Sequence, residues 1–432
     1  MHNLVIKLKG IYIAYFFLLI APTFVCTIVL KQIPIIAVII AFFLSAVSIY
    51  VQKKIVSDSY FKSIQILYFL PITISLFSCT LALINYNDTN FYIYYSKFLP
   101  TRIINIIFYW TITTFLYSIF IKQKNYQKIL YIYSIGIFIA FAIIGLCQIM
   151  AMVLNLPFPD FGTRTHLHSI SLPILPNLKR ITSIADEPSY LVPFLIDATL
   201  IFIFLRKYIL ATILVLLCVC SLSFGGYVNI FLLGCFYLFL NRKKIKVKYI
   251  YTTLFFLSII LITLGKYLLP LFEIILNRRE FSSNFEASDS ARTSVISLIF
   301  EFIKESNWVY ILFGHGPSSF KYLNLSKTLY DGSPFHTTSN NLFVDIAYEG
   351  GLFSLFCIIL LFARLYYIFN KKEKKNNKNI IFLSKILIAH LFLTSMYRAD
   401  YVSPRFFSIL LILGLLYKIC KNDFHYNSNL PT

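Results

Sequence analysis

An all-α fold that crosses a membrane about twelve times is predicted by three observations. Apolar runs of spanning length recur along nearly the whole chain. Hydrophobic residues make up 58% of the sequence and charged ones only 13%, with 18% aromatic. The mean hydropathy of +0.75 lies well outside the soluble globular range.

The runs fall near 11–30, 33–51, 63–85, 103–121, 129–153, 189–205, 208–222, 225–240, 249–270, 341–370, 379–397 and 402–420. A hydrocarbon core about 30 Å thick needs about twenty helical residues, and most of the runs supply them. The first follows Lys7 and Lys9 and lacks a small-residue cleavage site, so it reads as a retained span, with the mature chain beginning near Met1. The runs at 208–222 and 225–240 are short and separated only by Ser223-Phe-Gly-Gly226. They suit either two spans or a tilted, partly re-entrant hairpin.

Two polar segments interrupt this pattern, at about 154–188 and 271–340. Within the second, residues from Ser290 to Ile303 place apolar side chains at helical spacing behind a Ser/Asp-rich start that can cap a helix, with Arg292 in its first turn. No internal repeat or linker divides the chain, so a single membrane domain over 1–432 is expected.

A formal charge of +21 invites a nucleic-acid reading. Sorted by loop, however, the excess is about +19 on the side of the basic turns and near zero on the other. That sidedness is an orientation signal beside anionic lipid: both termini lie in the cytoplasm, the two long segments lie outside, and membrane lipids rather than nucleic acid are the expected partners. All eight cysteines fall within or at the ends of apolar runs, which implies neither a disulfide framework nor a thiolate metal site. No metal and no cofactor are expected.

Polar residues with chemical potential gather in the outer segments. Arg180 precedes Asp186-Glu187-Pro188-Ser189 where the first segment turns back into the bilayer. Glu187 and Pro188 suit a helix start, whereas Lys179 and Arg180 carry the opposite sign and suit an anion. Gly314-His-Gly-Pro317 marks a tight turn, with phosphate cradling by its backbone as the functional alternative. Next comes His336-Thr-Thr-Ser-Asn340. A helix beginning near Ser339 would align Asn341, Asp345 and Glu349 in a polar stripe that must face protein, water or substrate. His336, just before it, is poised near neutral pH to take a proton from a hydroxyl, or else anchors the loop.

Together these pieces resemble the O-antigen polymerase and O-antigen ligase superfamily of bacterial polysaccharide assembly. The matching residues are Arg180 with Glu187-Pro188-Ser189, then Ser290 and Arg292, Gly314, Gly316 and Phe320, and His336, Asn340, Glu349 and Gly350. The resemblance implies a GT-C-like membrane glycosyltransferase in the bacterial cytoplasmic (inner) membrane. Its donor would be a polyprenyl-diphosphate-linked oligosaccharide and its acceptor a hydroxyl of another glycan, with a chain-length regulator protein as a candidate partner. By that similarity His336 and Arg292 are catalytic: His336 orients or deprotonates the acceptor, while Arg292 and Arg180 stabilise the diphosphate. Arg164, Glu187, Asn340 and Glu349 join Arg180 as substrate-binding residues. Guanidinium forks suit such a role because they match phosphate oxygens and stabilise the charge that develops as the glycosyl–phosphate bond breaks.

One departure stands out. Many family members carry an arginine after Ser-x-Ser in a central helix, but this chain reads Ser221-Leu-Ser223-Phe-Gly-Gly226, which passes diphosphate binding to Arg180, Lys179 or Arg164. The Arg180 and Glu-Pro-Ser pattern favours polymerisation of lipid-linked repeat units into O-antigen, capsule or exopolysaccharide, with O-antigen ligase as the alternative. A polysaccharide flippase or transporter is the competing class. It is disfavoured because charges within the runs are few (Asp197, Lys266, Arg364, Lys385) and the polar groups collect outside.

Overall fold

The computed structural model describes residues 12, 14–19, 32–52, 58–85, 92–121, 125–159, 180–185, 187–241, 300, 303–304, 306–320, 339–371, 378–398 and 401–421. Its helices are α1 (Gln32–Gln52), α2 (Ser59–Asn85), α3 (Leu99–Phe120, entered through a π-helical turn Tyr94–Phe98), α4 (Tyr126–Val153), α5 (Pro188–Phe204), α6 (Tyr208–Cys220), α7 (Phe224–Asn241), α8 (Trp308–Phe313), α9 (Leu342–Lys371), α10 (Lys378–Ser395) and α11 (Pro404–Lys421). All but α8 coincide with expected runs. The run at 249–270, and all of 11–30 apart from residues 12 and 14–19, lie outside the described residues.

The protein is an all-α, multi-pass membrane protein. Among the described residues five helices are long and apolar enough to cross a bilayer: Ser59–Leu81, Tyr94–Phe120, Tyr126–Val153, Leu342–Lys371 and Lys378–Ser395. The helix α6 is apolar but has only 13 residues, a rise of about 20 Å, which is short of a full crossing. It hands over to α7 through Leu222 at a left-handed φ of 48°.

The helix α11 carries Arg405, Lys418 and Lys421 and is the least apolar in composition of the long C-terminal helices, yet every residue from Pro404 to Tyr417 is buried. It packs against α2, α3, α4 and α10, and a helix surrounded in this way is buried on all faces. Its Arg405 donates from Nε to Asp197 Oδ2 of α5 at 2.6 Å, and from Nη2 to Oδ1 at 3.2 Å. His390 of α10 sits with Nδ1 2.7 Å from the same Oδ1. A charge inside a bilayer costs several kcal/mol unless paired, which accounts for three polar residues converging from three helices. Asp197, an isolated in-span charge in the linear sequence, is thus one corner of a closed cluster.

The expected unbroken span 341–370 is interrupted. Gly351 adopts φ 69° and ψ −176° within α9, dividing it into a short N-terminal piece and a longer apolar one. A Cβ at this position would stand 2.3 Å from the carbonyl oxygen of Leu312, so glycine is required both for the left-handed φ and for the close approach of α8.

Candidate functional site

Where the N-terminal piece of α9 begins, Asn341 accepts hydrogen bonds at Oδ1 from the N–H groups of Phe343 (3.0 Å) and Val344 (3.3 Å). It is therefore the helix cap, not part of the anticipated stripe. Asp345 and Glu349, one turn apart, are both buried at 3% exposure and face protein. Asp345 accepts from the backbone N–H of Ser339 at 3.0 Å and from its hydroxyl. This closes the entry loop over the helix start, and Asn340 takes a left-handed φ of 55° in that loop.

Glu349 is held from three sides. Tyr401, between α10 and α11, donates its hydroxyl to Oε2, and Arg102 of α3 reaches Oε1 at 3.5 Å while lying over the Tyr401 ring at 5.1 Å. The Glu349 carbonyl accepts from Ser75 Oγ at 2.7 Å and from Gly316 N–H at 2.8 Å. Burial pushes the Tyr401 hydroxyl well above its ordinary value, so it stays protonated as a donor. Beside it lies a narrow crevice, lined in part by Tyr68, Ser75, Glu349, Ser354 and Tyr401.

The Gly314–Pro317 turn closes this region. His315 N–H donates to Tyr348 O at 3.1 Å, Gly314 N–H to Tyr310 O at 2.8 Å, and Ser78 Oγ to Gly314 O at 2.6 Å. With its N–H groups spent on the chain itself, the turn clasps α9 and does not cradle phosphate. The His315 imidazole stacks between Tyr310 at 5.0 Å and Tyr348 at 4.4 Å. Burial lowers its pKa from the ordinary 6.5 to about 4, which keeps it neutral in this turn outside the spans.

The end of the first polar segment dips into the bundle. Ile181, Thr182, Ser183 and Ala185 are buried, held by Gln148 of α4, whose Oε1 accepts from Ser183 N–H at 2.8 Å and Thr182 N–H at 3.2 Å. This anchoring brings Arg180 to the α6–α7 turn, where its Nε donates to the Ser221 carbonyl at 3.5 Å. A cation from the first polar segment therefore stands at the Ser-x-Ser turn that lacks its own arginine. Glu187 precedes the first residue of α5 in an extended conformation and accepts from Ser189 Oγ at 3.1 Å, a local contact at a helix start whose N1 is Pro188.

The anticipated residues are thus partly located. Arg180 and Glu187 lie at one end of the α4–α7 group, and Asn340 and Glu349 at the start of α9. Arg164, Arg292 and His336 lie outside the described residues, as does nearly all of the helix anticipated at 290–303. Arg102 and Tyr401 were not legible as site residues: Arg102 stands at a span boundary where arginine commonly marks only an interface, and Tyr401 is one of 31 tyrosines. Glu349 offered the single clue, since a buried carboxylate demands partners.

Residues 209–359 match the family model described as O-antigen ligase. That segment contains the Ser221–Gly226 turn, Arg292, the Gly314 turn, His336, Asn340 and Glu349, but not Arg180 or Glu187. A search of curated proteins found no match. The match covers about a third of the chain, and over the segment from the α6–α7 pair through the broken helix α9 the chain is similar to the O-antigen ligase family.

Proposed function

We propose that the protein transfers a glycan from a polyprenyl diphosphate carrier to a hydroxyl of an acceptor glycan at the outer membrane face, in the manner of an O-antigen ligase. The match over residues 209–359 carries this reading. In it His336 orients or deprotonates the acceptor hydroxyl, Arg292 and Arg180 stabilise the departing diphosphate, and Arg164, Glu187, Asn340 and Glu349 line the substrate path. Arg180 at the Ser221 carbonyl supports its part, because a guanidinium there replaces the cation missing from the turn. The remaining proposed features are about twelve spans, cytoplasmic termini and a seat in the bacterial inner membrane.

Polymerisation of lipid-linked repeats is the second reading. It is favoured by Arg180 followed by Glu187-Pro188-Ser189, which lies outside the matched segment. Purified protein in vesicles, given a lipid-linked oligosaccharide and either a lipid A core or a second lipid-linked repeat as acceptor, separates the two by product length on gels. Arg292→Ala and His336→Ala should each reduce transfer at least a hundredfold, the scale of one transition-state electrostatic or acid–base contact, with membrane insertion unchanged. Wild-type product from both variants would overturn the assignment, and translocation without any new glycosidic bond would indicate a flippase instead.

A further inference from the structure

The helices α7, α9 and α10 pack side by side, and contacts between their side chains fix their directions. Asn229 of α7 donates from Nδ2 at 3.1 Å to the hydroxyl of Tyr397, just past the end of α10. Tyr237, two turns further along α7, meets the Phe382 ring near the start of α10 at 5.3 Å. These two helices are therefore antiparallel. The same holds for α9 and α10: Phe362 meets Phe392 at 5.3 Å, and Asn370 near the end of α9 accepts at Oδ1 from Lys385 Nζ at 3.0 Å. The C-terminal ends of α7 and α9 and the start of α10 thus share one end of the group.

That end is basic. In the sequence α7 runs directly into Arg242-Lys-Lys-Ile-Lys-Val-Lys248, and α9 is joined to α10 through Lys371-Lys-Glu-Lys-Lys375 and Lys378. Against the one carboxylate of Glu373, these stretches carry ten basic residues. Lys371 and Lys378 are exposed. Lys385 lies two turns deeper along α10, only 6% exposed, with its Nζ 5.7 Å from the centre of the Tyr366 ring. An ammonium at that depth is stable only where polar or anionic groups meet it.

Between the three helices runs a groove of about 540 Å³, lined by apolar and aromatic side chains that include Phe236 of α7, Phe362 and Tyr366 of α9, and Ala389 and Phe392 of α10. This volume is that of a ligand site and exceeds any packing defect. Tyr366 belongs to both features, since its ring lines the groove and lies under the Lys385 ammonium. Leu232 and Phe392 remain 39% and 37% exposed while lining the groove, so it opens sideways on the surface of the bundle. Such a slot takes hydrocarbon, and the cations at one end of it take a negative head group.

We infer that the groove between α7, α9 and α10 is a binding site for an anionic phospholipid of the bilayer. One acyl chain lies along Phe236, Phe362 and Phe392, and the phosphate head meets Lys371, Lys378 and Lys385. Charge complementarity selects this occupant: a lysine beside an anionic head group is worth about fivefold in binding, whereas a head group of zero net charge gains little. The site needs neither a carrier lipid nor a sugar, so it stands apart from the glycan-transfer reading. The bound lipid braces α7 and α10 against α9, the helix that carries Glu349 near its other end.

The test uses the full-length protein, delipidated and returned to nanodiscs, with photoactivatable phosphatidylglycerol and phosphatidylcholine of the same acyl chains. Phosphatidylglycerol should be captured at least about fivefold better, with its crosslinks on the groove faces of α7, α9 and α10. Lys385→Gln should lower that preference about fivefold and leave capture of phosphatidylcholine unchanged, as should Lys371→Gln with Lys378→Gln. Unfolding would lose both lipids together. Ala389→Trp, which fills the groove, should remove the groove crosslinks of both lipids; should it not fold, the lysine variants decide by themselves. Equal capture of the two lipids, crosslinks elsewhere on the bundle, or an unchanged preference in both lysine variants would each overturn the inference. So would a crosslink from Cys235, which lines the groove, to a second copy or to a cysteine introduced within 249–270, because protein would then fill the slot.

Discussion

The closed cluster Asp197–His390–Arg405 and the looser cluster Arg102–Glu349–Tyr401 use nearly the same chemistry in different ways. In the first, all three residues are at most 1% exposed and both carboxylate oxygens are engaged at 2.6–3.2 Å by groups from two other helices. In the second, the arginine reaches its carboxylate only at 3.5 Å and its side chain keeps 21% exposure, next to an open crevice. A closed pair in a low-dielectric core ties helices together, whereas a loose pair beside space can change partners without unfolding anything. The contrast shows that the charge type of a membrane residue says little until its surroundings are known.

The largest expected effect tests the closed cluster. Arg405→Ala strands a buried carboxylate and should cost about 3–5 kcal/mol, read as loss of monodisperse protein in detergent and a melting midpoint lowered by many degrees. The triple change Asp197→Leu, His390→Leu and Arg405→Met, which removes every charge, should recover most of that loss. An Arg405→Ala protein as stable as wild type would erase the distinction drawn between the clusters.

Next in size is a pH effect at the Gly314 turn. His315 has a folded pKa of about 4, below its ordinary 6.5, so the unfolded chain binds the extra proton first as pH falls. The stability it contributes is complete above about pH 6.5 and is lost progressively down to about pH 4, some 3 kcal/mol at the most. Melting midpoints of wild type and His315→Phe, which keeps a ring between Tyr310 and Tyr348, should therefore diverge between pH 7 and pH 4.5, with wild type falling faster. Parallel curves would show that His315 is not held neutral.

The smallest effect belongs to Tyr401→Phe. It removes one donor from Glu349 while leaving the ring under Arg102, and should cost about 1–2 kcal/mol, a drop of a few degrees. A loss as large as that of Arg405→Ala would mean that the looser cluster is as closed as the other one.

Much of the architecture was legible because hydropathy and helix length act locally. The ten expected runs that coincide with described helices are bounded within a few residues, apart from α3, whose helical structure starts at the π-turn Tyr94–Phe98, where Lys97 and Arg102 break the apolar signal. The capping residue was two positions from the anticipated helix start, since Asn341 and Ser339 are both good caps and only the loop geometry selects between them. Glu349 could be picked out as a buried carboxylate, but its partners Arg102 and Tyr401 lie 247 and 52 residues away.

By itself the amino-acid sequence determined that this chain is helical, apolar and membrane-spanning, with its polar chemistry concentrated in two segments, because backbone satisfaction in lipid leaves helices as the local solution for such runs. Only the tertiary structure decided which charges neutralise one another. It set Asp197 against Arg405, drew Arg180 to the Ser221 turn, and spent the Gly314 turn on clasping α9. Those outcomes depend on contacts between helices far apart in the chain, and no local pattern encodes them.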